Sequence, residues 1–166
     1  MRASIRPPRG SDIDEIRDLL GQLGYDVDLN TLKRRLAGIL DREDQLFRVA
    51  DLNGGCVGWV HATVADYLDS GPFVVIGGLV VDRTCRGQGI GKALMNVAEQ
   101  WTLAQGRTIL RVWSSAPREE AHAFYKHLGF SHIKTHFAFA KSLAPESDAS
   151  RKKMVPRISE RPEGDS

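Results

Sequence analysis

The chain has 166 residues, of which 42% are hydrophobic and 27% charged, with a formal net charge of +2. That length and apolar fraction predict a single globular domain, and so small a positive excess excludes the electrostatic footprint of a nucleic-acid binder. Cys56 and Cys85 form no ligand spacing with each other or with the five histidines, so neither a disulfide nor a metal is expected. Met1 to Pro8 carries no apolar run, and no later stretch is long enough to span a bilayer, which predicts a cytoplasmic chain with no membrane partner.

In chain order, Ser4-Ile5-Arg6 opens a first strand. Ser11-Asp12-Ile13-Asp14-Glu15 is an acid-rich cap leading into a helix with Ile16, Leu19, Leu20 and Leu23 on one face, closed by Gly24. Asn30-Thr31 caps a second helix that presents Leu32, Leu36, Ile39 and Leu40, and its basic residues form a solvated opposite face. Gln45 to Asp51 reads as a strand, Asn53-Gly54-Gly55 as a hairpin turn, and Cys56 to Val64 as the antiparallel return. A linker from Asp66 to Pro72 leads into Val74-Val75-Ile76-Gly77-Gly78-Leu79-Val80-Val81, whose β-branched, uncharged run predicts a central strand buried on both faces. Arg86-Gly87-Gln88-Gly89-Ile90-Gly91 follows, then a helix from Lys92 to Gln105 ending at Gly106. Thr108 to Trp113 reads as a strand, Arg118 to Leu128 as a helix stopped by Gly129, and Ser131 to Lys141 as a last strand pair with Phe137 and Phe139 alternating. From about Pro145 the chain turns to Ser, Pro, Glu, Arg and Lys with no period. Residues 144–166 are therefore expected to be a flexible charged tail to a domain of residues 1–143.

The strand, glycine turn and helix from Val74 to Gly106 are built to hold an anion: glycines let backbone approach a ligand, and the first amides of a helix have no internal acceptor. Spacing narrows the ligand. Gly87-x-Gly89-x-Gly91 is not the Gly-x-Gly-x-x-Gly of a dinucleotide fold, and no acidic ribose-binding residue follows at a suitable distance. Only three residues separate Gly87 from Gly91-Lys92, and Ala93 stands where a P-loop has its hydroxyl, which argues against an NTPase. Arg86-x-x-Gly89-x-Gly91 after a strand ending Leu79-Val80-Val81-Asp82 resembles the acetyl-CoA signature of the GNAT superfamily of N-acetyltransferases. Ala121-x-x-Phe124-Tyr125-Lys126-x-Leu128-Gly129-Phe130 resembles that family's second signature, and the resemblance covers Arg6 to about Leu143.

The resemblance implies an α/β (α+β) fold: a mixed central sheet of about six or seven strands, flanked by about four helices and splayed at the cofactor site. It implies an enzyme that moves an acetyl group from acetyl-CoA, its co-substrate, directly onto a primary amine of a small molecule or peptide, with no metal. A homodimer is left open. Residue by residue, the pyrophosphate falls to amides of Gly87, Gln88, Gly89, Ile90, Gly91 and Lys92, with charge from Arg86 and Lys92. Backbone groups of Leu79, Val80 and Val81 take the pantetheine arm. Tyr125 stands where the family has its general acid.

Two family features are absent. The strand carboxylate that often serves as base is replaced by Ile76-Gly77-Gly78, and the asparagine leading the last helix by Arg118. His61 and Asp66 are the substitute bases, Tyr67 a further candidate beside them, and the acceptor's own neutral fraction an alternative to any side chain. Tyr25, Asp26 and Tyr67 are the expected acceptor contacts, and acidic residues in the first loop and at Asp66 and Asp69 favour a cationic acceptor. Cys85 lacks a partnered histidine and is not expected to act as a nucleophile. The missing carboxylate and asparagine leave one rival reading, a CoA-binding sensor or scaffold without turnover.

Overall fold

The computed structural model describes residues 3–115, 118–141 and 143. In order the elements are β1 (Ser4–Arg6), α1 (Ile13–Gln22), α2 (Leu29–Leu40), β2 (Gln45–Leu52), β3 (Gly55–Tyr67), β4 (Gly71–Val81), α3 (Ile90–Ala104), β5 (Leu110–Val112) and α4 (Glu119–His127). The strands form one sheet in the order β1-β2-β3-β4-β5, antiparallel except for β4 and β5, which run parallel because α3 carries the chain back between them. This is the mixed α/β architecture that the resemblance implies, with five strands among the described residues where six or seven were expected.

Alternation along the strands divides the core into two layers. Phe47, Val49, Trp59 and Val80 face α1 and α2, where Ile13, Ile16, Leu19, Leu32 and Leu36 cover them. Leu46, Ala50, Val60, Ala62, Val74 and Ile76 face α3, which returns Ile90, Leu94, Met95 and Ala98. Burying each such large apolar side chain contributes about 1.5–3 kcal/mol. Near β1 the guanidinium of Arg6 lies between two carboxylates, donating through Nη1 and Nη2 to Asp12 at 2.7 and 2.8 Å and through Nε to Asp51 at 2.6 Å. Asp12 is 2% exposed and is held ionised below the usual carboxylate range by that guanidinium. The expected cap over Ser11 and Asp12 is thus a 3₁₀ turn at Gly10–Asp12 that buries an ion pair.

Three local expectations are corrected. Asp28, not Asn30 or Thr31, caps α2, its Oδ1 accepting from the Thr31 amide at 2.9 Å. The segment Asp66 to Pro72 is not a linker: β3 and β4 continue as a hairpin in which Asp66 pairs with Pro72 and Tyr67 with Gly71, whose φ of +67° makes the turn. The third concerns residues 131–141. The described residues separate into two units, divided between Phe130 and Ser131, and in the second they hold no strand, with Phe137 and Phe139 exposed. Alternation supplies a face to bury, but a strand also needs a paired neighbour. Apart from Leu143, residues 142–166, which include the expected tail, lie outside the described residues.

Candidate functional site

The site begins where β4 and β5 part. Val74, Val75 and Ile76 pair with Leu110, Arg111 and Val112, and there the parallel ladder stops, while β4 runs on for five residues to Val81. On the side away from β3, Leu79, Val80 and Val81 therefore have no strand partner among the described residues, which is the splay expected at these residues. The carbonyl of Val81 is taken by Arg86, whose Nε donates to it at 3.2 Å.

β4 then feeds the glycine turn through a 3₁₀ turn at Arg83–Cys85. This turn is capped by Asp82, whose Oδ1 accepts from the Thr84 amide at 2.8 Å while its Oδ2 accepts from Gln22 Nε2 of α1 at 2.8 Å. Gly87 and Gly89 adopt φ of +75° and +77°, where a Cβ would be strained, and Gly89 caps α3. The amides of Gly87, Gln88, Gly89, Ile90, Gly91 and Lys92 donate to no described residue, and the first intrahelical bond is from Ala93 to the Gly89 carbonyl at 3.0 Å. Six free amides, at the positive end of a 15-residue helix and without Cβ atoms at Gly87 and Gly89, fit a phosphate. The helix starts at Ile90, two residues before the expected Lys92.

The two sequence signatures meet physically. A methyl added at Gly91 would lie 3.1 Å from Phe124 Cζ and 3.8 Å from Val81 Cγ2, so this glycine lets α4 seat its phenylalanine on the first turn of α3. That contact fixes where Tyr125 is carried. The Tyr125 ring stands edge-on to Phe124 and Phe130, with centroids 5.3 and 5.7 Å away. Burial raises its pKa and Arg118 partly opposes that, so the phenol keeps its proton at neutral pH. Arg118, in place of the family's asparagine, donates to the Leu23 carbonyl at 3.1 Å and so ties the start of α4 to the C-terminus of α1.

Gly77 and Gly78, where a carboxylate is absent, turn out to be the floor under two rings. β3 and β4 slip register between His61 and Ala62, with Gly77 as the extra residue of a β-bulge. A Cβ at Gly77 would lie 2.9 Å from His61 Nδ1, and one at Gly78 would lie 2.6 Å from Trp59 Cζ3. His61 Nε2 sits 2.8 Å from Gln45 Oε1. A carbonyl oxygen only accepts, so Nε2 carries the proton and Nδ1 keeps its lone pair, over the exposed Gly77. Burial alone lowers the pKa of His61, leaving a neutral imidazole at pH 7. Neither Gln45 nor Trp59 was anticipated from sequence, although a glycine doublet inside a strand is a bulge signal.

The remaining candidates are dispersed. Asp66 is exposed and, five residues on from His61 along an unbroken strand, lies on the opposite sheet face. Tyr67 shares the His61 face, its ring edge-on to Phe73 at 5.2 Å. Tyr25 and Asp26 are exposed in the α1–α2 loop and line a groove of about 570 Å³ with Arg17, Asp18 and Val27. Cys56 and Cys85 are unpaired, and among the described residues no group of three His, Cys, Asp or Glu side chains could hold a metal. No helix among the described residues is long and apolar enough to cross a membrane.

Residues 13–130 match the Acetyltransferase (GNAT) family. The chain is 33% identical over 94 residues to the uncharacterized N-acetyltransferase MJ1207 of Methanocaldococcus jannaschii, a match spanning 55% of this chain and 42% of that protein. It is 28% identical over 141 residues to the aminoalkylphosphonate N-acetyltransferase of Salmonella typhimurium, spanning 84% of this chain and 90% of the relative. Among solved structures, AAC(6')-Iy in complex with the bisubstrate analog CoA-S-monomethyl-acetylneamine superposes with a TM-score of 0.77 over 86% of this chain and 99% of that one, at 21% identity. With the family match covering most of the chain, the protein belongs to the GNAT family of acetyltransferases.

Proposed function

We propose that the protein transfers an acetyl group directly from acetyl-CoA to a primary amine of a small molecule or peptide. The observation that carries this reading is the continuity of the fork with the glycine turn. β4 leaves β5 after Ile76 and leads straight into six unpaired amides at the start of α3. One end therefore suits a pyrophosphate and the other a pantetheine arm, for which the β4 edge facing away from β3 at Leu79, Val80 and Val81 is open among the described residues, except that Arg86 takes the Val81 carbonyl. In this reading the amine attacks the thioester carbonyl, the C–N bond forms, the C–S bond breaks, and the thiolate takes a proton from Tyr125. His61 Nδ1, held as a lone pair by Gln45 on the other ring nitrogen, receives the amine proton, and of the two candidate bases it is His61 that shares a sheet face with Tyr67. Free Cys56 and Cys85 go with a reducing, cytoplasmic compartment.

The test is release of free CoA from acetyl-CoA over a panel of primary amines, with the product identified by mass. Transfer requires one CoA per N-acetylated amine. Tight acetyl-CoA binding with no CoA release across the panel would instead make the protein a CoA-binding module.

A further inference from the structure

On the same sheet face as His61 stands a cation with no ionic partner among the described residues. Arg111 pairs with Val75, and Val75 with Thr63, so Arg111 projects from the face that carries Thr63 and, two residues away, His61. The ring contacts agree with this register. Arg111 Cζ lies 4.0 Å over the ring of Phe73, which is wholly buried, and that ring meets Trp113 edge-on at 6.4 Å and Tyr67 at 5.2 Å. Among the described residues no carboxylate pairs with Arg111. Stacking on an aromatic ring holds a guanidinium flat and leaves its N–H groups pointing outward from its rim, the geometry that grips an oxyanion with two parallel hydrogen bonds. The next pair along, Ile76 with Val112, is the last before the strands part. Arg111 is thus one pair short of the fork, stacked on a ring flanked by two half-exposed aromatic side chains, Tyr67 at 49% and Trp113 at 53%.

We infer that Arg111 anchors an anionic group of the acceptor, so that the substrate is a primary amine also bearing a carboxylate, phosphonate or phosphate. This rests on the acetyl-transfer reading and narrows its substrate class. It also reverses the charge expected from sequence. The acidic residues behind that expectation lie elsewhere: Asp26 is exposed in the α1–α2 loop, Asp66 is on the far face of the sheet, and Asp69 is in the hairpin turn, accepting from Ser70. Tyr67 and Trp113 flank the carbon chain between amine and anion.

The test uses the full chain with saturating acetyl-CoA and four amines: 2-aminoethylphosphonate, β-alanine, ethanolamine and 1,3-diaminopropane. The two anionic amines are expected to have the higher kcat/KM, with their ratio separating phosphonate from carboxylate recognition. Arg111→Gln is expected to lower kcat/KM for them by about 10- to 100-fold, the range for hydrogen bonds to charged groups, and to change ethanolamine by less than about threefold. Binding is read separately, by titrating the CoA-bound protein with each anionic amine and following tryptophan fluorescence. A saturable change in the wild type, absent from Arg111→Gln at an unchanged melting temperature, is expected. If the neutral or dicationic amine is preferred, or Arg111→Gln slows all four amines equally, the anion anchor is overturned while acetyl transfer stands. If no amine releases CoA yet the titration depends on Arg111, transfer fails and the anchor stands. The absence of both turnover and Arg111-dependent binding overturns both.

Discussion

Replacing Gly78 with alanine adds one methyl group directly beneath Trp59. The new Cβ would lie 2.6 Å from Cζ3 and 2.8 Å from Cη2 of a ring that is 5% exposed. Carbon atoms in contact settle at about 3.5–4.0 Å, so the ring must retreat by about 1 Å. It has little room, being stacked on Phe47 at a centroid distance of 5.5 Å within the layer that faces α1 and α2. Backbone conformation does not bar the substitution, because Gly78 is not among the residues with positive φ. The whole penalty is therefore the ring, and overpacking of this kind costs about 1–3 kcal/mol. In a chain of this size that lowers the melting temperature by about 2–12 °C. The assay is urea denaturation of Gly78→Ala, Trp59→Leu and the double variant. Trp59→Leu destabilises by itself, but in its background the added methyl should cost almost nothing, giving a coupling energy of about 1–3 kcal/mol. An equal penalty with and without the indole would refute the idea that Gly78 exists to seat Trp59.

Asp12→Asn leaves Arg6 paired with Asp51 alone, and breaking so buried a pair should cost about 3 kcal/mol of stability. Because the Asp12 pKa is depressed in the folded state, its contribution is present above about pH 4 and is lost as pH falls through the lower folded value, so acid melts of the variant should lack that part of the decline. His61→Gln should lower kcat/KM by about 10²- to 10⁴-fold if the imidazole is the base. In the wild type the acid limb of kcat/KM should fall below about pH 6.5, since burial lowers the His61 pKa, and stability should fall over the same window as the unfolded state takes up the proton first. A limb above that pH would point to another group. Tyr125→Phe should reduce kcat and kcat/KM together by about 10²- to 10⁴-fold with acetyl-CoA affinity unchanged, and wild-type turnover in this variant would remove Tyr125 from the chemistry.

The parts of the fold legible in sequence are those set by local rules. Gly87 and Gly89 announced a turn that lets backbone approach an anion, the apolar run before them a buried strand, and Gly24, Gly106 and Gly129 the ends of helices; all five glycines take positive φ. What escaped was pairwise. Nothing local says that Asp12 is buried by Arg6, or that β3 and β4 extend to Tyr67 and Gly71 across a stretch rich in turn formers, because the ladder stabilises residues whose own propensity is poor. At the candidate site the glycine turn and Tyr125 stood out because they belong to contiguous motifs. Gln45, Trp59 and Arg111 did not, because each acquires its role from a neighbour on another strand. Gly77 and Gly78 read as a missing carboxylate, whereas they are room made for His61 and Trp59, a distinction visible only once β3 lies beside β4.

The most direct measurement is calorimetric titration of acetyl-CoA into the wild type and Gly89→Asp. A side chain at Gly89 meets no atom within 4 Å, so the aspartate fits sterically and places its charge among the six free amides. One acetyl-CoA should bind each wild-type chain, and the variant should lose at least about 100-fold in affinity, as repulsion replaces an anion's hydrogen bonds. Its melting temperature should fall by no more than about 8 °C, the cost of a non-glycine residue at positive φ. Near-wild-type affinity in Gly89→Asp would mean that acetyl-CoA is held somewhere other than the turn between β4 and α3.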